Sequence, residues 1–101
     1  MSDGLLNNID EIIHVKARLG IMSLLVTKGK SDFTFLKSKL GLTDGNLGSH
    51  IRILEEAGYI EVEKVFEQRK PKTLCEATEK GKTAFKSYVE ELERIIKLSD
   101  T

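Results

Sequence analysis

The side chains of this sequence best suited to chemistry lie in two places: a polar face on one helical segment, and a basic knot shortly after it. Leu47, Ile51 and Leu54 recur at i, i+4 and i+7, the spacing of a buried helical stripe. With that stripe turned inward, Asn46, Ser49, His50 and Ile53 fall on the outer side. Asparagine can pair with adenine through two hydrogen bonds, serine with a phosphate or base edge, and an apolar chain can touch a thymine methyl. His50 can donate to a phosphate or a base edge, and Thr43 stands at the head of the same segment. Arg52 sits further round, where a surface pair with Glu55 or Glu56 competes with a phosphate contact. Plain solvated surface is the alternative for this whole face.

The knot is Glu67-Gln68-Arg69-Lys70-Pro71-Lys72. Arginine is favoured in a narrow minor groove by the negative potential there, and lysines grip phosphates. Arg69, Lys70 and Lys72 are therefore candidate contacts to a nucleic-acid duplex, and Pro71 removes a backbone donor and stiffens the turn. Lys37 and Lys39 are further phosphate candidates; for Lys16 and Arg18 surface solubility is the preferred reading. Gly45 and Gly48 each cost a helix about 1 kcal/mol against alanine, so each needs a reason. Close packing against the preceding helix is the expected reason at Gly48, whereas Gly45 divides evenly between that and close approach to a backbone outside the fold.

Other chemistries find little support. The histidines, His14 and His50, have no cysteine or carboxylate at ligand spacing, and no phosphate loop or nucleophile motif is present. No catalytic residue, metal or cofactor is expected. Cys75 is the single cysteine, so no intrachain disulfide is available. It alternates inward with Thr73 and Ala77 and reads as a small buried hydrophobe rather than a redox sensor.

A length of 101 residues fits one domain with one modest core. Apolar residues make up 40% and charged residues 32%, an ordinary soluble balance, and no run reaches the ~18 apolar residues of a membrane span. The acidic N-terminus is unlike a signal peptide, so a cytoplasmic location is the default. The net charge of zero argues against a polyanionic partner until its distribution is considered. From Asp44 to Glu63 the acids outnumber Arg52, whereas Lys64, Arg69, Lys70 and Lys72 oppose only Glu67.

The elements that must position these residues follow from periodicity. Leu5, Ile9, Ile12 and Ile13 predict a first short helix over about 5–13, and Leu19, Met22, Leu25 and Val26 a second over about 16–27. Phe33 fits a very short strand, Thr34 caps a third helix, and Gly41 ends it. Thr43 caps the fourth helix, which Gly58 ends, giving a helix-turn-helix over about 34–58. The period then changes from 3.6 to 2: strands flanking the basic turn make a wing over about 59–77. Thr78 caps a long last helix over about 79–97, striped by Phe85, Tyr88, Val89, Leu92, Ile95 and Ile96. The expected fold class is mainly α (α+β), a winged helix-turn-helix with a two- to three-stranded antiparallel wing and a long C-terminal helix. The whole chain, 1–101, is expected to be a single domain.

Four segments in this order resemble a known group. Ser49-His50-Ile51-Arg52 with Leu54-Glu55-Glu56-Ala57-Gly58-Tyr59-Ile60 resembles the recognition helix and strand entry of the MarR and ArsR winged-helix regulators. Leu42 to Leu47 and Arg69 to Thr73 are similar to compact MarR-like regulators of archaea and bacteria. His14 through Leu25 resembles the helix these families place before the helix-turn-helix, and Thr78-Glu79-Lys80-Gly81 their entry into the last helix. The likeness spans about nine-tenths of the chain. Three positions depart from it: Cys75 and Ala77 replace larger side chains, and Ile53 stands where a polar residue is usual.

The resemblance implies a DNA-binding transcription regulator that works as a homodimer, without naming a small-molecule effector. The recognition helix would enter the major groove and the wing would meet the minor groove or backbone. The apolar residues Leu5, Ile9, Ile12, Tyr88, Leu92, Ile95 and Ile96 on the two outer helices exceed what one small core can cover, which points to self-association. A winged helix serving as a protein-interaction module without DNA is the alternative; zero net charge and Ile53 favour it, the basic wing and polar helix face oppose it.

Overall fold

Ile21, Met22 and Leu25 supply the buried stripe of the first helix in the computed structural model, which describes residues 4–99. This helix, α1 (Lys16–Lys28), ends at Gly29, whose φ of +89° suits glycine. A two-residue strand, β1 (Ser31–Asp32), leads into α2 (Phe33–Leu40). After three residues α3 (Asp44–Glu56) begins, followed by β2 (Ile60–Glu67), β3 (Lys70–Ala77) and α4 (Glu79–Ser99). The strands form one antiparallel sheet in the order β1-β3-β2, so the short first strand closes one edge of the hairpin. This is a winged helix-turn-helix, mainly α with a three-stranded sheet, as expected.

The expected first helix over 5–13 is absent; these residues form consecutive turns. Asn7 donates to the Gly4 carbonyl and Ile9 to that of Leu6, both at 3.1 Å. The Asp10 carboxylate then accepts from the Ile12 and Ile13 amides at 2.8 and 3.0 Å. Short polar side chains that bond nearby amides compete with a helical ladder, and Asn7, Asn8 and Asp10 crowd this segment. The apolar spacing nevertheless marks the inner side: Ile13 is fully buried, and Ile9 and Ile12 pack half-buried on the core.

A second correction moves the start of the third predicted helix. The strand is Ser31–Asp32 rather than Phe33, and the cap is Asp32, which accepts from the Phe35 amide at 2.7 Å; Thr34 lies exposed in the first turn. A single residue, Phe33, separates those caps, and both types suit the role, so composition alone did not choose between them. Thr43 does cap α3, accepting from the Asn46 amide at 3.1 Å. Its other end closes through Gly58, at φ +81°, with Gly58 donating to Glu55 and Tyr59 to Leu54, each at 2.9 Å.

The wing spans the expected stretch, but its strands reach further and its turn is tighter than the polar stretch 67–72 suggested. Strand pairing runs from Ile60↔Ala77 to Glu67↔Lys70, leaving Gln68 and Arg69 alone in the loop. Both have positive φ, 50° and 66°, as a type I′ hairpin turn requires. Cys75 and Ala77 face the core with Ile60, where small side chains suffice. The hairpin docks on α4 through Thr78, whose hydroxyl donates to the Gly58 carbonyl and accepts from the Gly81 amide, at 2.6 and 2.9 Å. A β-carbon on Gly81 would collide with the Tyr59 carbonyl, which explains that glycine.

Candidate nucleic-acid interface

The stripe Leu47, Ile51 and Leu54 is buried, and it turns the opposite side of α3 to solvent. Gly45, Asn46, Ser49, Arg52 and Ile53 are exposed there. At both Gly45 and Gly48 an added β-carbon would have nothing within 4 Å. The packing reason expected for Gly48 is thus overturned: no part of the fold presses on it. Gly45 is exposed and Gly48 half-buried, and each leaves room where a side chain would stand.

His50 departs from the expected outward set. It lies three residues after Leu47 and four before Leu54, on the flank of the buried stripe, and is half-buried. Its Nδ1 accepts from Arg18 Nη1 at 3.4 Å, and the same guanidinium donates through Nε to the Ile12 carbonyl at 2.6 Å. Arg18, read from sequence as a soluble surface residue, is a half-buried strap between the N-terminal turns and α3. No local signal marked it, because both partners are distant in sequence or are backbone.

Several cations read as phosphate candidates have partners within the fold. Lys37 pairs with Asp44 at 2.9 Å, which also offsets the one acid in the first turn of α3. Lys39 lies 5.9 Å over the Phe35 ring. Lys72 stands between Asp32 and Glu67 at 3.5 and 3.8 Å. Arg52, Arg69 and Lys70 are exposed and make no ion pair among the described residues, so the pair of Arg52 with Glu55 or Glu56 does not form. Thr43, with its hydroxyl capping α3, stays exposed at the helix head.

Cys75 is fully buried, and burial, then the charges of Glu55 and Asp32, push its thiol up to about 11. That environment disfavours the reactive thiolate. Tyr59 donates to Asp10 Oδ2 at 2.5 Å; burial first, then this bond and charge, raise its phenol to about 12. Among the described residues no group of three His, Cys, Asp or Glu gathers as a metal site needs, and no helix is long and apolar enough to cross a membrane.

Among the residues proposed for self-association, Tyr88 is corrected. It is 2% exposed, part of the core, and shares a 2.8 Å hydrogen bond with His14 Nδ1. A stripe about three turns long on α4, from Phe85 to Ile96, hid which end reaches beyond the core. Leu92 and Ile95 are half-buried, while Leu5 and Ile96 are exposed, joined by Leu6 and Leu98. A groove of about 390 Å³ between the N-terminal turns and α4 is lined by Leu6, Ile9, Glu11, His14, Leu92 and Ile95.

The arrangement has counterparts in known proteins. Residues 17–96 match the winged helix DNA-binding domain family. An uncharacterized protein of Methanocaldococcus jannaschii is 39% identical over 87 residues, covering 86% of this chain and 95% of its own length. A transcriptional regulator homologue from Pyrococcus horikoshii is 37% identical and superposes with a TM-score of 0.85 over 91% of both chains. A putative MarR-family regulator from Enterococcus faecalis, 21% identical, shares the fold at a TM-score of 0.75, over 95% of this chain and 83% of its own. With the helix-turn-helix, wing and long last helix all in place, this chain belongs to the winged helix DNA-binding domain family.

Proposed function

We propose that the protein is a transcription regulator that binds specific double-stranded DNA as a homodimer. The observation that carries this reading is the uncovered outer side of α3, where two glycines leave room and Asn46, Ser49 and Arg52 stand exposed. α3 would lie in the major groove and the tip of the wing, with Arg69 and Lys70, against the backbone or minor groove. Thr43 and Lys72 complete the contact set by reaching phosphates, and His50 acts from the flank by orienting α3. The archaeal homologue described as a transcriptional regulator supports the same reading. No enzymatic role is proposed.

The whole chain serves as one unit. Residues 33–56 hold the helix-turn-helix and 60–77 the wing. Leu5, Ile9 and Ile12 from the N-terminal turns, with Leu92, Ile95 and Ile96 of α4, form the dimer contact. Two recognition helices related by a twofold axis then call for an inverted repeat, with half-sites about one helical turn, ~10 bp, apart.

The test is titration of labelled DNA from upstream of its own gene at several salt concentrations. A salt-sensitive complex that competitor DNA of unrelated sequence displaces poorly is expected. Failure to bind any duplex at low salt would leave the protein-interaction reading, which the exposed Ile53 favours.

A further inference from the structure

Phe66 is 73% exposed, the most exposed large hydrophobic side chain among the described residues, and nothing in the fold explains it. It is the penultimate residue of β2 and pairs across the hairpin with Pro71. Alternation along the strands places Phe66 and Lys64 on the same sheet face as Ile60 and Val62, with Pro71 and Thr73 joining Cys75 and Ala77. That is the face that carries the helical core. Phe66 lies four residues beyond Val62, about 13 Å further out along the strand, so it projects past the core on the helix side of the wing.

Its surroundings are cationic. Lys64, Arg69 and Lys70 are exposed without an ion pair among the described residues, while Glu67, the acid beside them, is engaged by Lys72. An exposed aromatic with Lys64 on its own face, and with Arg69 and Lys70 at the adjoining turn, fits a partner that is polyanionic yet offers flat apolar surface. A nucleic-acid duplex does both: phosphates line its minor groove, and opened base steps expose their faces. Resting on the DNA-binding reading above, we propose that Phe66, backed by Pro71, is an apolar wedge that enters the minor groove beside the recognition site. It selects pyrimidine–purine steps, which unstack at least cost. The Gln68-Arg69 turn brings the cations to the groove walls, and the proline ring stiffens the opposite strand where a flexible residue would let the wedge yield.

The experiment uses the full chain and labelled duplexes carrying both half-sites from upstream of the gene. The flank under the wing contains either TpA steps or an A-tract, with an aminopurine reporter base at the step. Wild type should prefer the TpA flank and brighten the reporter. Phe66→Ala should bind that flank roughly tenfold more weakly, lose the preference and leave the reporter dark, with the salt slope unchanged. Phe66→Leu should keep part of each effect. A Phe66→Ala protein with wild-type affinity, flank preference and reporter signal overturns the wedge while Arg69→Ala still weakens binding, so the DNA-binding reading survives. If neither variant differs from wild type, or no duplex binds, that broader reading falls as well. Loss of dimer in sedimentation of Phe66→Ala, or loss of its binding to phosphatidylserine vesicles without change on DNA, would assign the side chain to a protein or lipid surface and likewise overturn the proposal.

Discussion

Arg69 and Asn46 illustrate how two exposed polar residues of one surface should differ in their contribution. Arg69 is a full charge on a two-residue turn with no ion pair among the described residues. Arg69→Ala should weaken binding to all sequences and lower the salt slope by about one unit. Asn46→Ala or Ser49→Ala should instead cost about 1–3 kcal/mol at particular base pairs with the slope little changed, read from anisotropy titrations on single-base variants. Equal losses on every sequence from all three would mean that α3 touches only phosphates. Two weakly acidic groups, the buried Cys75 thiol and the half-buried Tyr59 phenol, set an alkaline limit on stability. The Cys75 thiol and Tyr59 phenol hold their protons to about 11 and 12, whereas in the unfolded chain they ionise near 9 and 10. Their contribution is therefore complete below about pH 9 and declines as pH rises through the folded values. Urea midpoints should fall across that window, and less steeply in Tyr59→Phe; a flat profile would mean that neither proton is held by the fold. Residue types and helix face were legible in the sequence because they follow from local spacing. The roles of His50 and Arg18 were not, since they depend on where Ile12 and the N-terminal turns come to lie.

At the scale of elements, the change of period at Tyr59 made the wing legible, and the caps Thr43 and Thr78 with Gly41 and Gly58 fixed four helix ends. The turns over 5–13 were not legible, because periodic apolar spacing records which side is buried and not how the backbone bonds. Leu5, Ile9, Ile12 and Ile13 satisfy a helix and a row of turns alike. Gly48 makes the converse case, in which the element was right and the reason wrong. With no other side chain or backbone within 4 Å of where its β-carbon would stand, Gly48→Ala should raise stability by roughly 0.5–1 kcal/mol through helix propensity. If α3 lies close in the groove, the same methyl should weaken DNA binding. A melting curve and a titration on one sample check both, and gain of stability with unchanged affinity would show that the backbone stays clear of the duplex.

The whole molecule measures 57 × 25 × 23 Å with a radius of gyration of 15.4 Å, against about 13 Å for a compact domain of 100 residues. The excess comes with a 21-residue α4, roughly 30 Å long, whose last turns carry Ile96 and Leu98 beyond the core. Surplus apolar surface was legible as a sum, but its allocation was not: Tyr88 closes the core and the tip of α4 remains outside. Ile96→Glu should accordingly yield monomers in sedimentation while leaving the melting cooperative, together with much weaker operator binding. An unchanged dimer would place the contact elsewhere. The Asp10 carboxylate gives the molecule a further property. It alone accepts from two N-terminal amides and from the Tyr59 hydroxyl at the wing entry, and the segment it holds also meets Arg18 and, through His14, Tyr88 of α4. The N-terminal segment is thus fastened to the wing entry, to α3 and to α4 at three neighbouring points, Asp10–Tyr59, Ile12–Arg18–His50 and His14–Tyr88. If these points open together, hydrogen exchange at the Ile12 and Ile13 amides should follow a common rate that a partner on the outer face or the DNA face would slow.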